Sequence, residues 1–69
     1  MDNNDNSKIN INKADITQLT TLTGIGESKA QSIIEYRNNN GSFKTIEDIL
    51  NVSGIGDTLF AKIKDNITV

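Results

Sequence analysis

The chain lacks cysteine and histidine altogether. Without cysteine there is no disulfide and no thiolate metal site. Without histidine the usual general base and the commonest metal ligand are both missing. Glu47, Asp48 and Asp65 show no metal-ligand spacing, and no carboxylates cluster as an acid–base pair. An enzyme is therefore the least supported class, with no catalytic residue, metal or cofactor to assign. Long apolar runs are missing too, none approaching the roughly 20 residues that cross a bilayer. There is no excess of basic charge: seven Lys and Arg stand against nine Asp and Glu, for a net charge of −2. Bulk charge thus supplies no anion-binding surface.

At 69 residues the chain makes one small domain, which must bury nearly every large aliphatic residue it has. The opening "MDNNDNSK", residues 1–8, is polar throughout and reads as a disordered tail or the end of a linker. No signal peptide is visible in it, and the expectation is a domain taken from a longer protein whose leader or anchor lies outside. The tail holds two acids and one base, so residues 9–69 carry six basic and seven acidic side chains and are close to neutral.

What the chain does have is an internal repeat. "LTGIGES", residues 22–28, returns thirty residues later as "VSGIGDT", residues 52–58. At the same offset Ile16 matches Ile46, Leu19 matches Ile49, and Ile33 matches Ile63. This is a duplicated supersecondary unit, expected over about residues 12–38 and 44–67.

Each unit reads as helix, short turn, helix. Asn12 is a candidate N-cap with Asp15 at N3, and Ile11 and Ile16 are spaced as a hydrophobic staple, predicting a first helix over roughly 13–21. Thr45 and Asp48 play the corresponding parts in the second unit. After each Gly-Ile-Gly comes an amphipathic run, with Ala30, Ile33, Ile34 and Arg37 on one face of the first. Leu59, Phe60, Ile63 and Ile67 repeat that spacing in the second. Gly41 is expected to end the long helix of the first unit and Phe43 to tuck into the core. No strand alternation is sustained, so the fold is expected to be all-α, with four main helices in a compact bundle.

The turns invite a chemical reading. A helix begins with N–H groups that lack intrahelical partners, and its aligned dipoles place partial positive charge there. Glycine lets an anion approach that backbone closely. The turns at Gly24 and Gly26, and again at Gly54 and Gly56, would offer amides, with Ser28 and Thr58 adding hydroxyl donors and the central isoleucines pointing inward to lock each turn to the core. Two such turns suit phosphates on the two strands of a duplex. The plain alternative is a sharp connection between helices with Ile25 and Ile55 as core. No Gly-Lys-Ser/Thr follows, so this is not a P-loop, and no strand precedes the glycines as a dinucleotide fold requires.

"GIGESKAQSIIEYR", "GSFKTIEDILNVSGIG" and the terminal "ITV" carry a more specific signal. Residues 9–69 resemble the tandem helix-hairpin-helix domain of ComEA-like competence proteins. The resemblance implies double-stranded DNA binding without sequence preference, with backbone contacts from Gly24, Ile25 and Gly26, and from Gly54, Ile55 and Gly56, meeting phosphates on the minor-groove side. It also implies an extracytoplasmic DNA receptor, held at the cell surface or in the periplasm, with other DNA-uptake proteins as further partners. Lys29 matches a basic position of the family, and Lys62 and Lys64 match the basic character of its last helix. The family pattern of proline then lysine after the second glycine is replaced here by Glu27-Ser28 and Asp57-Thr58, and Leu59 supplies no charge. Glu27 and Asp57 suit the first turn of a helix but oppose a phosphate beside them. Lys13, Lys44 and Arg37 read as solvated charges or as a wider basic face, and Tyr36 as packing beneath a hairpin or as a stacking surface. A protein-interaction or structural module on the same fold, with no DNA affinity, stays open as the second reading.

Overall fold

A computed structural model of the protein describes residues 8–69. Apart from Lys8, the expected polar tail lies outside the described residues. In chain order the elements are strand β1 (Ile9–Asn10), helix α1 (Ile16–Leu19), helix α2 (Glu27–Asn40), a 3-10 helix (Ile46–Asn51), helix α3 (Asp57–Ile63), a short 3-10 turn (Lys64–Asn66) and strand β2 (Ile67–Thr68). The two halves repeat one plan: α1, hairpin, α2, then the 3-10 helix, hairpin, α3.

The duplication continues into the core. Leu19 and Ile49, Leu22 and Val52, Ile25 and Ile55, and Ile33 and Ile63 are all buried, each pair thirty residues apart. Ile16 and Ile46 pack against the same cluster, half-buried. Each fully buried isoleucine or leucine contributes about 1.5–3 kcal/mol relative to exposure. Among the described residues no polar or charged side chain is buried, so the core sets no desolvation cost against that gain.

Helix α1 starts three residues later than the sequence suggests. Its N-cap is Asp15, whose Oδ1 accepts from the Gln18 N–H at 2.9 Å while Gln18 Oε1 accepts from the Asp15 N–H at 3.2 Å. Asn12 is not the cap because its amide is committed elsewhere. Its Nδ2 donates to the Phe43 carbonyl (3.0 Å) and its Oδ1 accepts from the Phe43 N–H (2.7 Å). One side chain thereby satisfies both backbone groups of Phe43, in the segment that joins the two halves. In the second half Thr45 is the N-cap as expected, and Asp48 Oδ2 accepts from the N–H groups of Lys44 (2.9 Å) and Thr45 (3.3 Å).

Helix α2 ends at Gly41, whose φ is +88°. Phe43 is buried as expected, its ring stacked on Tyr36 with centroids 5.3 Å apart and planes inclined by 15°. Arg37 is drawn inward: its Nη1 donates to the Ile11 carbonyl at 2.9 Å. The last helix is shorter than its apolar spacing implies. Ile67 sits in β2, where Ile9 pairs with Ile67 and Asn10 with Thr68 in parallel, and the Ile11 N–H donates to the Thr68 carbonyl at 2.9 Å. Leaving the helix there buries Ile67 and closes the two ends of residues 9–69 together, on a helical framework.

Candidate functional site

Both hairpins are built in the same way. The Ile25 N–H donates to the Leu22 carbonyl at 3.1 Å, closing a turn with Thr23 and Gly24 at its centre. The Ile55 N–H donates to the Val52 carbonyl at 3.1 Å around Ser53 and Gly54. Gly24 has φ +80° and Gly54 φ +93°, the positive value that a type II turn demands at its third position. The second glycines differ. Gly26 and Gly56 are N-caps in extended backbone, and a Cβ built on either meets nothing within 4 Å. The first glycine of each hairpin shapes the turn; the second leaves open space in front of a helix start.

The isoleucines hold the hairpins to the core. Ile25 and Ile55 are buried, and their N–H groups are already spent on the turns. Their burial matches the inward placement the sequence suggests, while the backbone contacts that the family resemblance implies for them would have to be made without these N–H groups. Helical bonding begins with the Ala30 N–H on the Gly26 carbonyl and the Phe60 N–H on the Gly56 carbonyl, both at 2.9 Å. Among the described residues no backbone acceptor takes the N–H groups of Gly24, Gly26, Glu27, Ser28 or Lys29, nor those of Gly54, Gly56, Asp57, Thr58 or Leu59. Gly24, Gly26, Glu27 and Ser28, and likewise Gly54, Gly56, Asp57 and Thr58, are exposed residues, whereas Lys29 and Leu59 are half-buried.

The side chains around the hairpins are less symmetric. Glu27 and Asp57 occupy the first turns of α2 and α3, where each favours the helix dipole. Lys29 is half-buried on α2, and its stem lies against Gly54 of the other hairpin, Cγ and Cε each 3.8 Å from a Cβ built there. The corresponding residue, Leu59, lies over Gly24, with Cδ1 only 2.7 Å from such a Cβ. The two hairpins are therefore neighbours, each covered by a side chain of the other half. Lys62 lies in the last turn of α3 and Lys64 directly follows it, both exposed. Lys13 and Lys44 are also exposed, whereas Arg37 and Tyr36 serve packing. A shallow open hollow beside the first hairpin is lined by Ile9, Thr21, Leu22, Thr23 and Asn66.

Among the described residues no group of three or more Asp or Glu is placed to hold a metal ion. No helix there is long and apolar enough to cross a membrane.

The paired hairpins place the molecule in a known class. The family profile described as "Helix-hairpin-helix motif" matches residues 4–68, and the chain belongs to that family. It is similar to ComE operon protein 1 of Bacillus subtilis (strain 168), 56% identical over 61 residues that cover 88% of this chain and 30% of that protein. It is also similar to the human endonuclease/exonuclease/phosphatase family domain-containing protein 1, 44% identical over 62 residues that cover 90% of this chain and 11% of that one. An uncharacterized protein of Haemophilus influenzae is 43% identical over 61 residues, covering 87% of this chain and 54% of its own length. The chain thus spans less than a third of the first two relatives and about half of the third.

Proposed function

We propose that this domain binds double-stranded DNA without sequence preference, by holding phosphates on the unpaired N–H groups of its two hairpins. One observation carries the reading: the same exposed set of backbone donors occurs twice, side by side, on hairpins that agree bond for bond. Phosphate oxygens accept well from such donors, and contacts to phosphate carry no base information. The donors in this reading are Gly24, Gly26, Glu27 and Ser28 of one hairpin and Gly54, Gly56, Asp57 and Thr58 of the other. The hydroxyls of Ser28 and Thr58 and the ammonium groups of Lys29, Lys62 and Lys64 supplement them, while Ile25 and Ile55 anchor the turns. The minor-groove side of the duplex is the expected face.

Similarity to ComE operon protein 1 supports assigning the domain to a DNA-uptake protein, as the receptor that first holds incoming duplex. That role places it outside the cytoplasm, carried by an anchor elsewhere in the protein, beside other uptake components. The domain itself is a grip and not a catalyst. Its recurrence as 11% of a relative named for a nuclease and phosphatase family fits a module that lends binding to different chains.

Glu27, Asp57 and the net charge of −2 favour the second reading, a module whose partner is a protein. Fluorescence anisotropy of a labelled random-sequence duplex separates the two. The DNA reading predicts binding that weakens with salt, ignores sequence, is weakened by Gly26→Val or Gly56→Val alone and is lost when both are combined in a variant that stays folded. A folded wild-type domain that binds no duplex at 50 mM salt would refute it.

A further inference from the structure

We infer that Lys29, although carried by the first half, serves the second hairpin. This rests on the DNA reading above and specifies how its two hairpins differ. The stem of Lys29 runs along Gly54, with Cγ and Cε both in van der Waals contact distance of where a Cβ would stand. Its ammonium group is one bond beyond Cε, at the rim of the second hairpin. The stem lies along the glycine turn, and a long cationic side chain ordinarily lays its stem against the protein while keeping its charged head in water.

Leu59 makes the reciprocal crossing onto Gly24 but ends in a methyl group. The duplication thus supplies two equivalent backbone cradles and only one cross-motif charge. A phosphodiester on the second hairpin gains an ammonium that offsets Asp57, whereas one on the first hairpin has amides and Ser28 but faces Glu27 without that help. The two strands of a duplex are therefore held unequally, the stronger ionic contact being at the hairpin whose own half lacks the lysine. From sequence alone, Lys29 belongs to the first hairpin; the fold transfers it to the second.

A double-mutant cycle on the folded domain tests this. Lys29→Met keeps the apolar stem over Gly54 and removes the charge. Gly26→Val and Gly56→Val each obstruct one hairpin at a position where an added Cβ meets nothing within 4 Å. With a labelled duplex, Lys29→Met is expected to lower affinity and flatten the salt dependence by about one phosphate contact, or roughly 3-fold less loss of affinity over a fourfold rise in salt. That loss is expected to shrink in the Gly56→Val background and to persist in full in the Gly26→Val background. The reverse pattern, or an unchanged salt slope, overturns the assignment. Backbone amide NMR of the free protein gives an arm that needs no DNA. Lys29→Met is expected to move the Gly54 resonance and leave that of Gly24 in place, and an unmoved Gly54 overturns the assignment as well. A wild-type domain that binds no duplex instead overturns the DNA reading itself, and the NMR arm still decides which hairpin Lys29 covers.

Discussion

The two glycines of each hairpin are spelled alike but do different jobs, and Gly→Ala substitutions separate them by stability. At Gly24 a Cβ meets two penalties. With φ at +80° an L-residue costs about 1–2 kcal/mol. Its Cβ would also stand 2.7 Å from Leu59 Cδ1, and displacing a packed, half-buried leucine adds about 1 kcal/mol or more. Gly54 carries the φ penalty alone, since its nearest neighbours are at 3.8 Å and belong to a flexible lysine stem. At Gly26 and Gly56 alanine is free of both, and the gain from a stiffer unfolded chain roughly balances the loss of a preferred N-cap, to within about 0.5 kcal/mol. In a domain this size 1 kcal/mol shifts Tm by about 4–8 °C. Thermal unfolding followed by circular dichroism is thus expected to show Gly24→Ala lower by about 10–25 °C, Gly54→Ala by about 5–15 °C, and Gly26→Ala and Gly56→Ala nearly unchanged. Leu59→Ala supplies the internal check: in that background Gly24→Ala is expected to cost only what Gly54→Ala costs. If Gly26→Ala or Gly56→Ala falls as far as Gly24→Ala, or if Leu59→Ala leaves the cost of Gly24→Ala untouched, the division of labour argued above is wrong.

Leu59→Lys is expected to give the first hairpin the ammonium it lacks, raising duplex affinity and steepening the slope of log K against log salt by about 0.9, read by anisotropy across a salt series. Arg37→Met removes the donor to the Ile11 carbonyl and is expected to lower stability by about 1 kcal/mol or more in urea unfolding while leaving that salt slope unchanged. Asn12→Ala strips both backbone groups of Phe43 of their partner and is expected to cost about 1–3 kcal/mol by the same assay. Glu27→Gln with Asp57→Asn gives up a few tenths of a kcal/mol of helix-dipole stabilisation per site, yet is expected to strengthen DNA binding; weaker binding would point to a partner that needs those acids.

Much of this fold was legible because the repeat states it twice. Pairs thirty residues apart fixed which aliphatic residues are core, and the Gly-Ile-Gly segments located both turns. The start of α1 was not legible: Asn12 and Asp15 are both good caps three residues apart, and what decides between them is a hydrogen-bonding partner 31 residues away at Phe43. The pairing of Ile9–Asn10 with Ile67–Thr68 is two residues long, too short for alternation to register, and the helical spacing of Ile67 disguised it. Local sequence also could not show that Arg37 turns inward to Ile11, or that residues 29 and 59 exchange hairpins. Both follow from how the two halves are set against each other, which no motif within one half encodes.

That arrangement also answers the objection from charge. A near-neutral domain is a poor candidate for DNA binding if affinity must come from a basic surface, and a fair one if backbone donors do the holding. The two cases differ in salt dependence. Should Lys29, Lys62 and Lys64 be the only side chains that neutralise phosphates, the slope of log K against log salt is about −2.7, and affinity falls by about 40-fold between 50 and 200 mM salt. Engagement of Lys13 and Lys44 as well would carry the slope toward about −4.5 and the loss toward about 500-fold. The hairpin reading commits to the shallower line. A measured slope near −4.5 would mean that the duplex lies across a broad face of exposed lysines, with the paired glycine turns contributing shape to the domain and little to its grip.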